Sequence, residues 1–214
     1  MNSTYLAPIF TRRIEHTSIK TIFECGSRDG LDAIEMLKYY QPDIIYSFEC
    51  NPESVKVCEK NLAGYKNIRL VPKAVCNENE EVDFYATDME RSNDKNIGAS
   101  SLLFHKDNEY DYIQKRILVE GVRLDTFMEQ NKVGEIDLLC LDLQGAELMA
   151  LGGLGKRIKD VRYIISEVSI SSYYWDDILM TEFNSWLKRK GFRMIISDLD
   201  LKKRVGFGNA LYTK

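Results

Sequence analysis

A chain of 214 residues, 44% hydrophobic and 29% charged, is long enough to bury the core of one large soluble globular unit. Its formal net charge of −4 argues against delocalised attraction to nucleic-acid phosphates, and no apolar run approaches the roughly 20 residues of a membrane span. Five cysteines without CxxC spacing, and no apolar segment after Arg12 and Arg13, favour reduced thiols in a cytoplasmic protein without a secretory leader.

The first 18 residues have no clear period and read as an arm or short helix. A strand is expected over 20–24, a helix over 31–40 that Pro42 ends, and a second strand running to Glu49. Asn51-Pro52 reads as an N-cap followed by proline at the first helical position, opening a helix to about residue 62. Strands follow at 68–71 and 81–86. Residues 87–118 then break the rhythm, with a polar run over 88–99 of the kind found in functional lids or disordered segments. A helix is expected over 124–130. The near-continuous apolar run 136–141 reads as a strand covered on both faces, and 161–168 repeats the type. A helix over 176–190 and strands at 192–197 and 207–212, flanking a polar turn over 198–204, complete the chain. The alternation implies one α/β domain: a mainly parallel central sheet with helices on both faces and a C-terminal antiparallel hairpin.

The chemistry concentrates at strand ends. Glu24-Cys25-Gly26-Ser27-Arg28-Asp29-Gly30 leaves the first strand, and Glu49 ends the second, 19 residues after Gly30. In parallel α/β sheets ligands bind beyond the strand carboxyl ends where strand order reverses. An acidic residue at this distance suits a ribose. The glycine spacing fits neither the dinucleotide fingerprint G-x-G-x-x-G nor the P-loop G-x-x-x-x-G-K-[ST].

What remains, acidic-x-Gly-x-x-x-Gly and then an acidic residue ending strand two, resembles the S-adenosylmethionine-dependent methyltransferase fold. The second half narrows this: Val122-Arg123-Leu124-Asp125-Thr126-Phe127, Asp142-Leu143-Gln144-Gly145-Ala146-Glu147, Leu151-Gly152-Gly153 and Ile164-Ile165-Ser166-Glu167-Val168. With Phe48-Glu49-Cys50-Asn51-Pro52 and Ala99-Ser100-Ser101-Leu102, these segments resemble the FkbM family of methyltransferases over about residues 21–168. The resemblance implies a Rossmann-like fold and S-adenosyl-L-methionine as cofactor. It further implies O-methylation of a hydroxyl on a sugar or other small molecule. Three positions depart from the usual pattern: Glu24 stands where Asp is more frequent, Cys50 where Pro is common, and Gln144 where Glu is more frequent.

Carried onto this chain, Gly26, Ser27 and Gly30 bring backbone against the methionine moiety and Glu24 accepts from its ammonium. Glu49 takes the ribose hydroxyls, its alternative being a solvated strand end or an anion at the next helix N-terminus. Arg28 pairs with the cofactor carboxylate or with a surface neighbour. Cys50, Asn51, Ala74 and Val75 complete the cofactor wall, the last two in the segment that lines the adenine. Asp142 ends the fourth main strand and is the first candidate for the base that removes the acceptor proton, unless it only orients the cofactor or caps the next helix. Glu167 is the second candidate, and His105 a distant third.

Asp142, Glu147 and Glu167 have oxygen ligands that suit magnesium, but their spacing fits ordinary strand-end and helix-start carboxylates equally well. Two aromatic clusters, Tyr173-Tyr174-Trp175 and Tyr110 with Tyr112, can stack on a sugar or base, or simply pack a loop. The basic runs Lys188-Arg189-Lys190 and Lys202-Lys203-Arg204 read as solvated faces, so nucleic-acid methylation is the lesser reading, as is a nucleoside-binding module without catalysis. The expected partner is a small-molecule or glycan acceptor. The insertion and the N-terminal arm, or another subunit in a homo-oligomer, form most of its wall.

Overall fold

The computed structural model describes residues 3–107, 111–199 and 206–214. The order in the chain is α1 (Pro8–Thr11), β1 (Thr21–Cys25), α2 (Leu31–Tyr40), β2 (Ile44–Phe48), α3 (Pro52–Leu62), β3 (Ile68–Val71), β4 (Ala74–Val75) and β5 (Glu81–Thr87). There follow β6 (Gln114–Val122), α4 (Leu124–Gln130), β7 (Ile136–Leu141), α5 (Glu147–Gly153), β8 (Val161–Ser169), α6 (Met180–Arg189), β9 (Arg193–Ser197) and β10 (Phe207–Thr213).

Seven strands form the main sheet in the order β3-β2-β1-β7-β8-β10-β9. The first five of these are parallel to their neighbours, while β10 pairs antiparallel with both β8 and β9. The expected terminal hairpin is therefore present, with its second strand inserted next to β8. Strand order reverses between β1 and β7, which stay paired to their carboxyl ends, where the Asp142 N–H donates to the Cys25 carbonyl at 3.0 Å. Asp137, at the other end of β7, accepts the backbone N–H groups of Lys20 and Thr21 at 2.8 and 2.9 Å and so fixes the start of β1.

The sheet is covered on both faces, and neighbouring residues along each strand go to opposite cores. Phe23, Tyr46, Leu139, Leu141, Ile164 and Tyr212 face the side carrying α4, α5 and α6. Ile22, Ile45, Leu138, Cys140, Ile165 and Leu211 face α2 and α3. The N-terminal segment belongs to this second core. Tyr5, Phe10, Ile14 and Ile19 are buried there, so these residues act as a packed cover.

Two expectations change. The last helix starts at Met180 instead of 176, because the Asp177 carboxylate accepts the N–H groups of Tyr173 and Tyr174 at 2.7 and 3.0 Å and folds the chain into a turn first. Residues 87–118 are also not all loop. β6 takes up residues from 114 onward, pairing antiparallel with β5 and parallel with the short β4 in a separate three-stranded sheet. Its exposed-buried alternation is weak (Lys115, Arg116 and Leu118 face solvent), which hid it among the charges. Tyr110 and the run Lys202-Lys203-Arg204 lie outside the described residues. Among those described, no helix is long and apolar enough to cross a membrane, and all five cysteines are free.

Phe10 is fully buried in the second core. Phe10→Ala should therefore destabilise the protein by about 3–5 kcal/mol, read as a lower urea midpoint. A midpoint unchanged from wild type would show that the N-terminal segment is not part of the folded core.

Candidate active site

The carboxyl ends of β1, β2, β7 and β8 open into a cavity of about 420 Å³, within the usual size of small-ligand sites. Its floor depends on Gly26, which has φ +91°. A Cβ at Gly26 would collide with the Asp142 carbonyl, so a side chain there would force β1 and β7 apart. The N–H groups of Gly26 and Ser27 both reach the Phe48 carbonyl at 3.0 Å, tying the turn after β1 to the end of β2.

Glu49 completes that tie. One carboxylate oxygen accepts the Arg28 N–H at 2.7 Å, and the other accepts those of Cys50 and Asn51 at 2.8 and 2.7 Å. Burial pushes its pKa up, while the three donors pull it down. Asn51 caps α3 as expected, accepting the Glu53 N–H at 3.1 Å, and its amide donates to Ser100. Cys50, Ala74, Val75 and Arg28 also line the cavity. The Arg28 guanidinium faces Asp29 at 3.4 Å on a largely exposed side chain.

Glu24 and Gly30 are not on the cavity wall. Glu24 lies behind it, 1% exposed. The Ser47 hydroxyl is 2.6 Å from its Oε2 and 2.7 Å from the Ser27 hydroxyl, so two serines connect the cavity to a buried carboxyl. Its Oε1 has no partner, and burial raises its pKa to about 8. Gly30 is the N-cap of α2, packed against Leu62.

Asp142 and Glu167 meet. The two hydrogens of the Gln144 amide reach Asp142 Oδ1 at 2.7 Å and Glu167 Oε2 at 2.9 Å. Gln144 Oε1 and the Ala99 carbonyl share the Tyr174 hydroxyl, at 3.2 and 3.0 Å. This fixes the sense of the amide: its nitrogen side faces two acceptors and its oxygen faces a donor. Burial raises both carboxyl pKa values, the Asp142 charge raises that of Glu167 further, and the amide opposes the rise in each. Glu147 does different work. It accepts the N–H groups of Leu143 and Gly145 at 2.7 and 3.3 Å, so it, and not Asp142, braces the turn before α5. Among the described residues, no three His, Cys, Asp or Glu side chains form a metal-binding group.

Residues 96–106 roof the cavity as a pinned strap. The backbone of Ser101 bonds Tyr85 in both directions, and its hydroxyl reaches the Gln144 carbonyl at 2.9 Å. The backbone N–H groups of Lys106 and Trp175 donate to Tyr173 and Phe104, both at 2.9 Å. His105 is buried in this strap between the rings of Tyr112 and Tyr174, where burial lowers its pKa.

A family model described as the methyltransferase FkbM domain matches residues 24–194. The chain belongs to this FkbM methyltransferase family. The 2-O-methyltransferase NoeI of Sinorhizobium fredii (strain NBRC 101917 / NGR234) is 27% identical over 157 residues, covering 72% of this chain and 65% of its own length. Among solved structures, a methyltransferase FkbM from Methylobacillus flagellatus KT is similar with a TM-score of 0.61 at 11% identity. The match covers 100% of this chain and 48% of that one. TrmK of M. capricolum, solved with S-adenosylhomocysteine, gives a TM-score of 0.52 at 11% identity, over 92% of this chain and 63% of that one. This FkbM chain thus spans about half the length of the first structure.

The sequence reading missed two residues of this cavity. Gln144 reads as a lost charge, whereas in the fold it is a donor between two acceptors. Tyr174 belongs to a cluster more easily taken for loop packing, and only its contact with Gln144 gives it a role in the site.

Glu24 carries a further consequence. In the folded chain its carboxyl holds a proton up to about pH 8, whereas unfolded it loses it near pH 4.5. Within that window the folded state binds more protons, so stability falls as pH rises, by up to about 1.4 kcal/mol per pH unit for one such group. Ligand-free protein should have a lower urea midpoint at pH 8 than at pH 6, and Glu24→Gln should reduce the difference. Identical pH dependence in the two proteins would contradict the buried neutral carboxyl.

Proposed function

We propose that this chain transfers the methyl group of S-adenosylmethionine to a hydroxyl oxygen of a small-molecule or glycan acceptor, working as one methyltransferase domain. The observation that carries the reading is the Gln144 amide joining Asp142 and Glu167 on the cavity, one strand over from the glycine turn. The printed name of the relative NoeI, a 2-O-methyltransferase, supports oxygen as the acceptor atom.

The cofactor, when bound, supplies an electrophilic methyl group on a sulfonium. The residues present fit it. Glu49 has lone-pair capacity beyond its three backbone donors for a ribose hydroxyl, in the charge-assisted bonds that carboxylates accept best. Gly26 and Ser27 offer bare backbone and a hydroxyl, and Ser27 leads through Ser47 to the buried Glu24. Ala74 and Val75 give an apolar edge suited to a purine.

On the acceptor side, the Asp142–Glu167 pair takes the hydroxyl proton, with Asp142 nearer the glycine turn as the base. Gln144 keeps the two carboxylates aimed at one point and lowers the cost of their charge. In-line attack at about 3–3.5 Å is a matter of positioning, and two carboxylates fixed by one amide supply it.

With an accepting substrate from a screen of glycans and hydroxyl compounds, Asp142→Asn should lower kcat by about 10²–10⁴-fold. The affinity for S-adenosylhomocysteine should change little. Full turnover in this variant would remove Asp142 as the base. Because a base must be ionised and burial raises the Asp142 pKa, turnover should still be rising with pH above the usual carboxylate range. Gln144→Ala removes a donor that favours the charged forms. The rise should therefore move to higher pH, and an unshifted profile would contradict the bridge.

A further inference from the structure

The cavity has two chemically different ends, and the strand order sets which is which. Over β1 and β2 the wall is polar: Ser27, Glu49, Asn51 and Ser54. Beyond the Asp142–Glu167 pair it includes Leu148 of α5, Val168 of β8, Ile178 just before α6, Phe183 within α6 and Phe207 of β10.

Three polar side chains at this second end are already bonded within the protein. The Asp177 carboxylate holds the N–H groups of Tyr173 and Tyr174 and the Ser172 hydroxyl. The Ser169 hydroxyl faces the carbonyls of Ser171 and Gly206 at 2.5 and 2.8 Å. The Tyr174 hydroxyl is held by Ala99 and Gln144. Phe207 stays 49% exposed at the rim, edge-on to Tyr173 with ring centroids 6.1 Å apart.

Resting on the proposed role of Asp142 and Glu167, we infer that this end receives a hydrocarbon portion of the acceptor. The methylated hydroxyl then belongs to a molecule carrying an alkyl chain or aromatic ring, and not to a bare sugar. A sugar pressed against this wall would leave its hydroxyls without partners, which costs free energy for each one buried. A hydrocarbon group gains from the same contact in proportion to the area removed from water. The exposed face of Phe207 gives that group a path from the paired carboxylates to solvent.

The test is calorimetric titration with n-octyl, phenyl and methyl β-D-glucoside, the octyl compound kept below its micelle concentration. It is run with and without saturating S-adenosylhomocysteine, on wild type and on the Phe207→Ser and Ile178→Ser variants. The octyl or phenyl compound should bind at least about tenfold more tightly than the methyl one. Octyl as the tighter of the two identifies an alkyl source, phenyl an aromatic one. Each variant should lose most of that advantage while keeping its S-adenosylhomocysteine affinity, which also shows that it is folded. Equal binding of the three glucosides, or an advantage untouched in both variants, overturns the inference. Failure of S-adenosylhomocysteine to bind wild type would instead strike the cofactor reading, and the titrations without it still decide the hydrocarbon site.

Discussion

Three backbone N–H groups, from Arg28, Cys50 and Asn51, converge on the carboxylate of Glu49. They come from the turn after β1 and the turn after β2, so one side chain fixes the two loops that frame half of the cavity. A carboxylate this buried should prefer to be neutral, and its raised pKa records that pressure. The three donors act against it, because each favours the charged form. The result is a preorganised acceptor at the strand end, held by main chain rather than by mobile side chains.

The same logic recurs on the other side of the sheet's reversal point with different parts. Glu147 organises the turn after β7 through two backbone N–H groups, as Glu49 does after β2. That leaves Asp142 free of capping duty, and its bond to Gln144 turns it toward Glu167. Ser101 and Tyr174 then bring the strap over residues 96–106 onto this turn. The cavity roof and the paired carboxylates are therefore one bonded unit, and a change in either should be felt in both.

The main sheet was legible in the sequence because its strands are short apolar runs bounded by strong signals. Asn51-Pro52 announced α3, and the continuous run over β7 announced a strand buried on both faces. The family was legible from strand-end residues in order. What escaped has physical reasons. β6 is half charged, because one face meets solvent and its partners lie in a small second sheet. The N-terminal segment has no helical or strand period because it packs as separate anchors, Tyr5, Phe10 and Ile14, joined by short turns. Gln144 was visible only as a departure from the family pattern. Its meaning depends on a positive φ at its own backbone and on two acceptors 2 and 23 residues away, which no local pattern reports.

The central claim is that the polar end of this cavity is built for S-adenosylmethionine rather than another nucleotide. Calorimetric titration of the purified protein with S-adenosylmethionine, NAD and ATP tests it most directly. Selective micromolar binding of S-adenosylmethionine, about −8 kcal/mol, is the predicted result. Equal or tighter binding of NAD or ATP, or no binding of S-adenosylmethionine, would contradict it.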